Sequence, residues 1–101
     1  MTDRELLELA AKAASVRILH WNAGEAYHEK GGWPFPQKWN PLTDDGDAFR
    51  LAVKLGMTTG IEYGRKYAHC SGIKEPITDN ECASMRRAIV HAAAQIGNAM
   101  P

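Results

Sequence analysis

Apolar residues recur at helical spacing in three parts of the chain, and each part has a recognisable beginning. Residues 2–14 open with Thr2 and Glu5, whose spacing allows the hydroxyl and the carboxylate to form a capping box. Residues 43–55 place aspartates in their first turn, which the positive end of a helix dipole favours, and Gly56 follows their last residue. We predict two helices whose apolar faces consist of Leu6, Leu9, Ala10 and Ala13 in the first and of Ala48, Phe49, Leu51, Ala52, Val53 and Leu55 in the second.

The third helical pattern, residues 78–100, is the longest and the most regular. Thr78 and Glu81 are spaced as a second capping box, so we predict that this helix begins there. At about 1.5 Å per residue it would be about 30 Å long, enough to cross a small domain. Its apolar positions alternate by three and four residues, as a packing face requires, and are Cys82, Met85, Ile89, Ala92, Ile96 and Ala99.

Shorter stretches between the helices predict strands. β-Branched and aromatic residues at 16–21 predict one strand, and residues 58–70 predict two strands joined near Gly64. Residues 22–40 contain several glycines and prolines, so we predict a loop or a strained hairpin whose aromatic side chains fold back onto the body. The order of these helices and strands along the chain predicts one α+β domain over residues 1–101. Three helices would be layered with a small, mainly antiparallel sheet of about three or four strands, as an α/β/α sandwich.

Composition and charge exclude several classes of protein. Of the 101 residues, 45% are hydrophobic and 24% are charged, as in ordinary globular domains. Twelve Lys and Arg balance twelve Asp and Glu, so the chain lacks the broad positive charge of a histone-like protein, and nucleic acid is not an expected partner. No apolar window reaches the roughly eighteen residues of a membrane span, so no membrane partner is expected. Two cysteines are too few for a disulfide framework and favour a reducing cytoplasm.

The residue types that carry chemistry do not fall into a recognised pattern. The histidines and cysteines include no pair at CxxC or HxxxH spacing, so we expect no metal site. Cys70 with His69 or His91, oriented by Glu62, is one arrangement for a thiol nucleophile. The favoured interpretation of Cys70 is a half-buried strand cysteine packed on a helix, and that of Cys82 is a core position. No glycine-rich nucleotide loop has the required spacing, and we predict neither a catalytic residue nor a cofactor.

Basic and aromatic residues together form the one candidate binding surface. Aromatic side chains crowd residues 21–39 among lysines and histidines, and a second basic and aromatic patch occupies residues 65–67. Aromatic faces beside cations suit either a protein interface or a stacked base with its phosphate. The competing interpretation is that the tryptophans complete a small core. The candidate surface consists of Trp21, Tyr27, Trp33, Phe35, Trp39, Arg65, Lys66 and Tyr67.

Three stretches of the chain also resemble a known family. Residues 2–14, 39–55 and 86–100 read TDRELLELAAKAA, WNPLTDDGDAFRLAVKL and RRAIVHAAAQIGNAM. Together they resemble the phage ABA sandwich domain family, whose members are small proteins of bacteriophages and prophages. Because the family is named for a sheet layered between helices, the resemblance implies that fold and a phage origin. It implies no reaction, no cofactor and no catalytic residue.

These observations lead to one expected function and two alternatives. We expect a small, non-enzymatic phage accessory protein in the cytoplasm of an infected or lysogenic bacterium, which binds a host or defence protein through residues 22–40. The first alternative is a homo-oligomer that sequesters a nucleotide-like small molecule between Arg65, Lys66 and one or more tryptophans. The second and weaker alternative is a small hydrolase that uses Cys70 or a histidine–carboxylate pair.

Overall fold

In the computed structural model, which describes residues 1–78 and 80–101, the chain forms three helices and six strands. The strands pair as two antiparallel three-stranded sheets, β1-β2-β3 and β4-β5-β6. The predicted α+β class with three helices is confirmed, and the layering is compatible with a sandwich, although the strands are divided between two sheets. The elements are α1 (Asp3–Ala14), β1 (Ile18–Asn22), β2 (Glu25–His28), β3 (Gln37–Trp39), α2 (Asp45–Lys54), β4 (Thr59–Glu62), β5 (Tyr67–Cys70), β6 (Ile73–Pro76) and α3 (Glu81–Ala99).

The first two helices have the caps that their sequences predict. The Thr2 hydroxyl accepts from the backbone N–H of Glu5, and the Glu5 carboxylate accepts from that of Thr2, each at 3.1 Å. At the start of α2, the Asp44 carboxylate accepts from the N–H of Asp47 at 2.8 Å. Gly56 follows the end of α2 with a φ of +63°, the left-handed conformation in which glycine is unstrained.

The start of α3 differs from the prediction. Asn80 is the N-cap, and its side-chain oxygen accepts from the N–H of Ala83 at 3.0 Å. The Glu81 carboxylate accepts from the Tyr63 hydroxyl at 3.3 Å rather than closing a box with Thr78. The predicted capping box of Thr78 and Glu81 is therefore wrong, because Asn80 lies next to the first turn and is itself a strong N-cap.

Two tight turns account for strands that the sequence pattern does not predict. Ala23 and Gly24 join β1 to β2 with φ values of +52° and +79°, and Ser71 and Gly72 join β5 to β6 with +46° and +92°. Two consecutive residues with positive φ suit the twist of antiparallel strands and allow a two-residue hairpin. Residues 22–40 contain β2 and β3 paired as an antiparallel hairpin, so of the two structures predicted there the hairpin is correct, whereas β6 lies where we predict no strand.

The third helix lies at the centre of the fold, where it packs on α1, on α2 and on all three strands of the second sheet. Because it has neighbours on more than one side, its buried face is wider than the predicted stripe. Cys82, Ile96 and Ala99 of that stripe are exposed, so the predicted core position of Cys82 is wrong. The buried residues of α3 are Ser84, Ala88, Ile89, Val90, Ala92, Ala93, Ala94 and Gly97.

The second helix buries only part of the apolar face predicted for it. Ala48, Leu51 and Ala52 are buried, whereas Phe49 is 69% exposed and Val53 is also exposed. Both exposed side chains lie beside an apolar groove of about 400 Å³ between α2 and α3. The difference arises because α3 covers one side of α2 and leaves the flank of Phe49 and Val53 to solvent.

Candidate functional site

The connection between β2 and β3, residues 29–36, carries the two most exposed aromatic side chains of the predicted surface. Trp33 is 57% exposed and Phe35 is 73% exposed. The Trp33 N–H donates to the Lys30 carbonyl at 3.1 Å, which closes a turn, and the Lys30 ammonium lies 5.4 Å from the centre of the Trp33 ring. The turn thus places a cation against the indole while most of the ring remains in solvent.

The prolines of this connection explain why it leaves the sheet between β2 and β3. Pro34 and Pro36 have no N–H to donate and a fixed φ, so strand pairing resumes only beyond them. With Arg17, which precedes β1, and Leu19 within β1, the connection lines a shallow depression of about 290 Å³. We name this region the aromatic loop surface and define it as Arg17, Leu19, Trp33 and Phe35.

Trp39 does not belong to any exposed surface. It is 4% exposed, lies opposite Ala26 in the register of β2 and β3, and is part of the main hydrophobic core. Side chains alternate along a strand, so Lys38 faces solvent and Trp39 faces the helices. Its predicted place in the binding surface is wrong, and the competing interpretation of a core tryptophan is correct for this residue.

Trp21 and Tyr27 are half-buried, and each has one ring face occupied by a neighbour in the chain. The Arg4 guanidinium lies 4.5 Å from the centre of the Trp21 ring. The His20 and Tyr27 rings stack across β1 and β2, with centroids 4.9 Å apart and planes at 7°. These contacts stabilise the first sheet and leave less aromatic area for a partner than Trp33 and Phe35 offer.

The second basic and aromatic patch lies on the other sheet. Arg65 and Lys66 are exposed in the turn between β4 and β5, and Tyr67 begins β5. The Tyr67 ring is covered by the Lys74 ammonium, 5.1 Å from the ring centre. Within residues 1–78 and 80–101, the depressions lined by Trp21, Trp33 and Trp39 contain neither Arg65 nor Lys66 in their walls. The structure therefore divides the predicted surface into two separate regions.

The thiol arrangement drawn from the sequence does not assemble. Cys70 is fully buried, its Sγ lies 3.4 Å from the Sδ of Met57, and burial raises the pKa of the Cys70 thiol. His69, the preceding residue on β5, points to the opposite face of the sheet. His91 on α3 contacts the Glu75 carboxylate of β6 instead. A buried thiol with a raised pKa is a poor nucleophile, which agrees with the interpretation of Cys70 as a packing residue, although the side chain is fully buried rather than half-buried.

A polar cleft between the first sheet and α2 is the site that the sequence does not predict. It has a volume of about 530 Å³, and its ionisable lining residues come from β2, β3, α2 and the adjoining loops. These elements are separated along the chain, so the sequence does not show that they meet. The one local pattern that could indicate the cleft is the pair of Arg50 and Lys54, four residues apart on one helix. The basic residues that line it are His28, Lys30, Lys38, Arg50 and Lys54, of which Lys38 directs its side chain to the opposite face of β3 from Trp39.

His28 lies among charges of both signs in this cleft. Burial lowers its pKa most, Asp47 acts in the opposite direction, and Lys30 and Arg50 lower it further. The net direction is downward, so the imidazole is neutral at neutral pH. Each neutral imidazole offers one N–H donor and one acceptor nitrogen.

Comparisons with known proteins give no relative for this chain. No protein-family model, no curated protein and no solved structure matches it. Within residues 1–78 and 80–101, no group of three or more His, Cys, Asp or Glu side chains is placed to hold a metal ion. In the same part of the chain, no helix has both the length and the apolar character that crossing a bilayer requires.

Proposed function

We propose that this protein acts by binding another protein and that the aromatic loop surface is the contact. The observation that supports this most strongly is the exposure of Trp33 and Phe35, two large apolar side chains two positions apart. Adjoining apolar side chains left in water are typical of interaction sites on soluble domains. Trp is also one of the residue types that carry most of the binding energy in protein interfaces.

The structure of the loop reduces the entropic cost of binding. Pro34 and Pro36 restrict the backbone, and the turn from Lys30 to Trp33 is closed by a hydrogen bond before any partner arrives. An ordered loop loses less conformational freedom on binding, so more of the contact energy appears as affinity. Arg17 and Lys30 lie beside the aromatic rings, so the matching partner surface has an apolar pocket with acidic groups at its edge.

The proposed partner is a protein of a bacterial host, including the proteins of its defence systems. The support is the resemblance of residues 2–14, 39–55 and 86–100 to the phage ABA sandwich domain family. The proposed setting is the cytoplasm of an infected or lysogenic cell. Binding alone accounts for this function, and we propose no reaction and no cofactor.

An affinity experiment with matched variants tests this proposal. Bacterial lysate is passed over the immobilised protein, and retained proteins are identified by mass spectrometry. The variants are the wild type, the Trp33→Ala and Phe35→Ala double variant, and Phe49→Ala as the control. Phe49 is comparably exposed but lies on α2, outside the aromatic loop surface.

We expect a protein that the wild type and the control retain and the double variant loses. Truncating two interface hot spots of about 2 kcal/mol each should weaken binding by about a thousandfold. Circular dichroism checks that the double variant is folded. The proposal fails if all three forms retain the same proteins, or if lysates of several bacterial hosts yield no specifically retained protein.

The sequestration of a nucleotide-like molecule finds no support at the residues predicted for it. Arg65 and Lys66 lie in the β4–β5 turn, in a different sheet from the tryptophans.

A further inference from the structure

The apolar groove of about 400 Å³ between α2 and α3, which we name the α2–α3 groove, is open because short side chains line it. Ala48 and Ala52 line it from α2, about one turn apart and both buried. Met85 and Ile89 line it from α3. The side chain of alanine ends at Cβ, so two alanines in succession on one helix face leave the space towards α3 unfilled.

The charged residues in the lining of this groove neutralise each other. Asp45 and Arg86 contact at 2.6 Å, and Arg86 also donates to the Leu42 carbonyl at 2.9 Å. One carboxylate and one guanidinium leave no excess charge, and the other lining residues are apolar or uncharged. An ion that entered the groove would lose hydration without gaining an unpaired opposite charge, so the groove suits an apolar group.

Two apolar side chains project into solvent at the rim of the same groove. Phe49 is 69% exposed and Val53 is 62% exposed, one turn apart on α2. Adjoining apolar side chains left in water on a soluble domain mark an interaction surface. A surface that carries both a projection and a groove can pair with its own copy across a two-fold axis, because each projection then fills the groove of the other copy.

The charges beside Phe49 and Val53 favour one orientation of the two copies of α2. Asp44 and Asp47, at the N-terminal end of the helix, share the Arg50 guanidinium at 3.8 and 2.7 Å, so one negative charge remains in excess there. Lys54, the last residue of α2, forms no ion pair with a carboxylate of residues 1–78 or 80–101 and adds one positive charge at the other end. All four side chains line the polar cleft and therefore lie on one side of the helix. An antiparallel arrangement brings the lysine of each helix beside the aspartates of the other, whereas a parallel arrangement brings like charges together.

We infer that the chain self-associates through the α2–α3 groove: two copies pack α2 antiparallel across a two-fold axis, and each inserts Phe49 into the groove of the other. Few large side chains take part, so the dimer is weak, with a dissociation constant between about 1 µM and 1 mM. The groove and the aromatic loop surface share no lining residue, so this inference does not depend on the proposed protein partner.

Analytical ultracentrifugation of the full chain at concentrations up to about 1 mM tests the inference, because even a dissociation constant of about 1 mM then places about half of the chains in dimers. The first pair of variants is Phe49→Ala and its control Phe35→Ala, which truncates a comparably exposed side chain outside the groove. The second pair is Lys54→Glu and its control Lys66→Glu, which changes an exposed lysine in the turn between β4 and β5. Circular dichroism checks that each variant is folded.

We expect Phe49→Ala to weaken dimerisation at least about a hundredfold, because the substitution removes two equivalent contacts worth about tenfold each. Lys54→Glu should weaken it about tenfold at low salt and less at high salt, since repulsion replaces attraction at both ends of the contact. Phe35→Ala and Lys66→Glu should stay within about twofold of wild type.

The rate at which a thiol reagent modifies Cys82 gives a second readout, because this exposed side chain lines the groove. In the wild type the rate should fall as the protein concentration rises, and in Phe49→Ala it should stay constant. The inference is overturned if the wild type is monomeric at about 1 mM, which would leave the groove to a small apolar ligand or to another protein. It is equally overturned if Phe35→Ala weakens dimerisation as much as Phe49→Ala, if Lys54→Glu dimerises as tightly as wild type, or if Cys82 reacts at one rate at all concentrations.

Discussion

The contact between α1 and α3 depends on the absence of a side chain at Gly97. A Cβ atom at this position would lie 2.0 Å from the carbonyl oxygen of Leu9 and 2.8 Å from its carbonyl carbon. Ordinary contact begins near 3.4 Å, so the helices would have to separate by about 1.4 Å at this point. The obstructing atoms belong to the backbone of α1, so no side-chain rotation relieves the clash. We therefore predict that Gly97→Ala destabilises the protein.

The expected magnitude is the difference between two opposing effects. Overpacking a core contact costs about 1–3 kcal/mol, and a clash with backbone should reach the upper end of that range. Replacing glycine by alanine in a helix gains up to about 1 kcal/mol. The free energy of unfolding should therefore fall by about 2 kcal/mol. For a domain of this size, such a loss lowers the melting temperature by about 8–16 °C.

Thermal and urea unfolding followed by circular dichroism measure the effect. Gly46→Ala is the matched control, because its Cβ would meet only the ends of the exposed Arg50 and Asp44 side chains at 3.2 Å, a contact that a shift of a few tenths of an ångström relieves. We expect this control to stay within about 1 kcal/mol of wild type. A Gly97→Ala variant as stable as wild type would refute the close approach of α1 and α3 at this position.

Three further predictions concern burial and capping. Trp39→Ala should lower the free energy of unfolding by about 3–5 kcal/mol, whereas Trp33→Ala should change it by less than about 0.5 kcal/mol in the same urea titration. In the native protein a thiol reagent should modify the exposed Cys82 rapidly and the buried Cys70 only on unfolding, and equal labelling of both would contradict the packing of β5. Hydrogen bonds in the capping box lower the pKa of the Glu5 carboxyl below its ordinary value. The box should therefore contribute fully above that ordinary pKa and be lost as the pH falls through the lower folded value. When the free energy of unfolding is measured at decreasing pH, the Glu5→Gln variant should not show this loss of stability. Identical pH profiles of the variant and the wild type would show that the box contributes nothing.

Short-range signals in the sequence are reliable here where no distant residue competes. The capping box of Thr2 and Glu5 forms because both groups lie within one turn. The equivalent spacing at Thr78 and Glu81 fails, because Asn80 caps α3 instead, and the Glu81 carboxylate accepts from the Tyr63 hydroxyl of the β4–β5 turn. The two strands predicted in residues 58–70 are confirmed as β4 and β5, joined through the turn that contains Gly64.

The candidate sites depend on pairings that a linear sequence does not display. Crowded aromatic residues are visible in the sequence, but strand register decides which of them is buried. Trp39 lies opposite Ala26, a small residue on the inward face, and so enters the core. Trp33 lies beyond the end of β2, in the proline-containing connection, and so remains in solvent.

The sequence by itself determines the three helices, the α+β class and the crowding of aromatic residues in residues 21–39. These follow from periodicity, caps and composition, which act over a few residues. Tertiary structure alone decides that the strands form two sheets, that Cys70 is sealed in the core and that lysines from β3, α2 and a loop line one cleft. The physical reason is that burial and charge clustering depend on which distant surfaces meet, and the free energy of packing selects those surfaces.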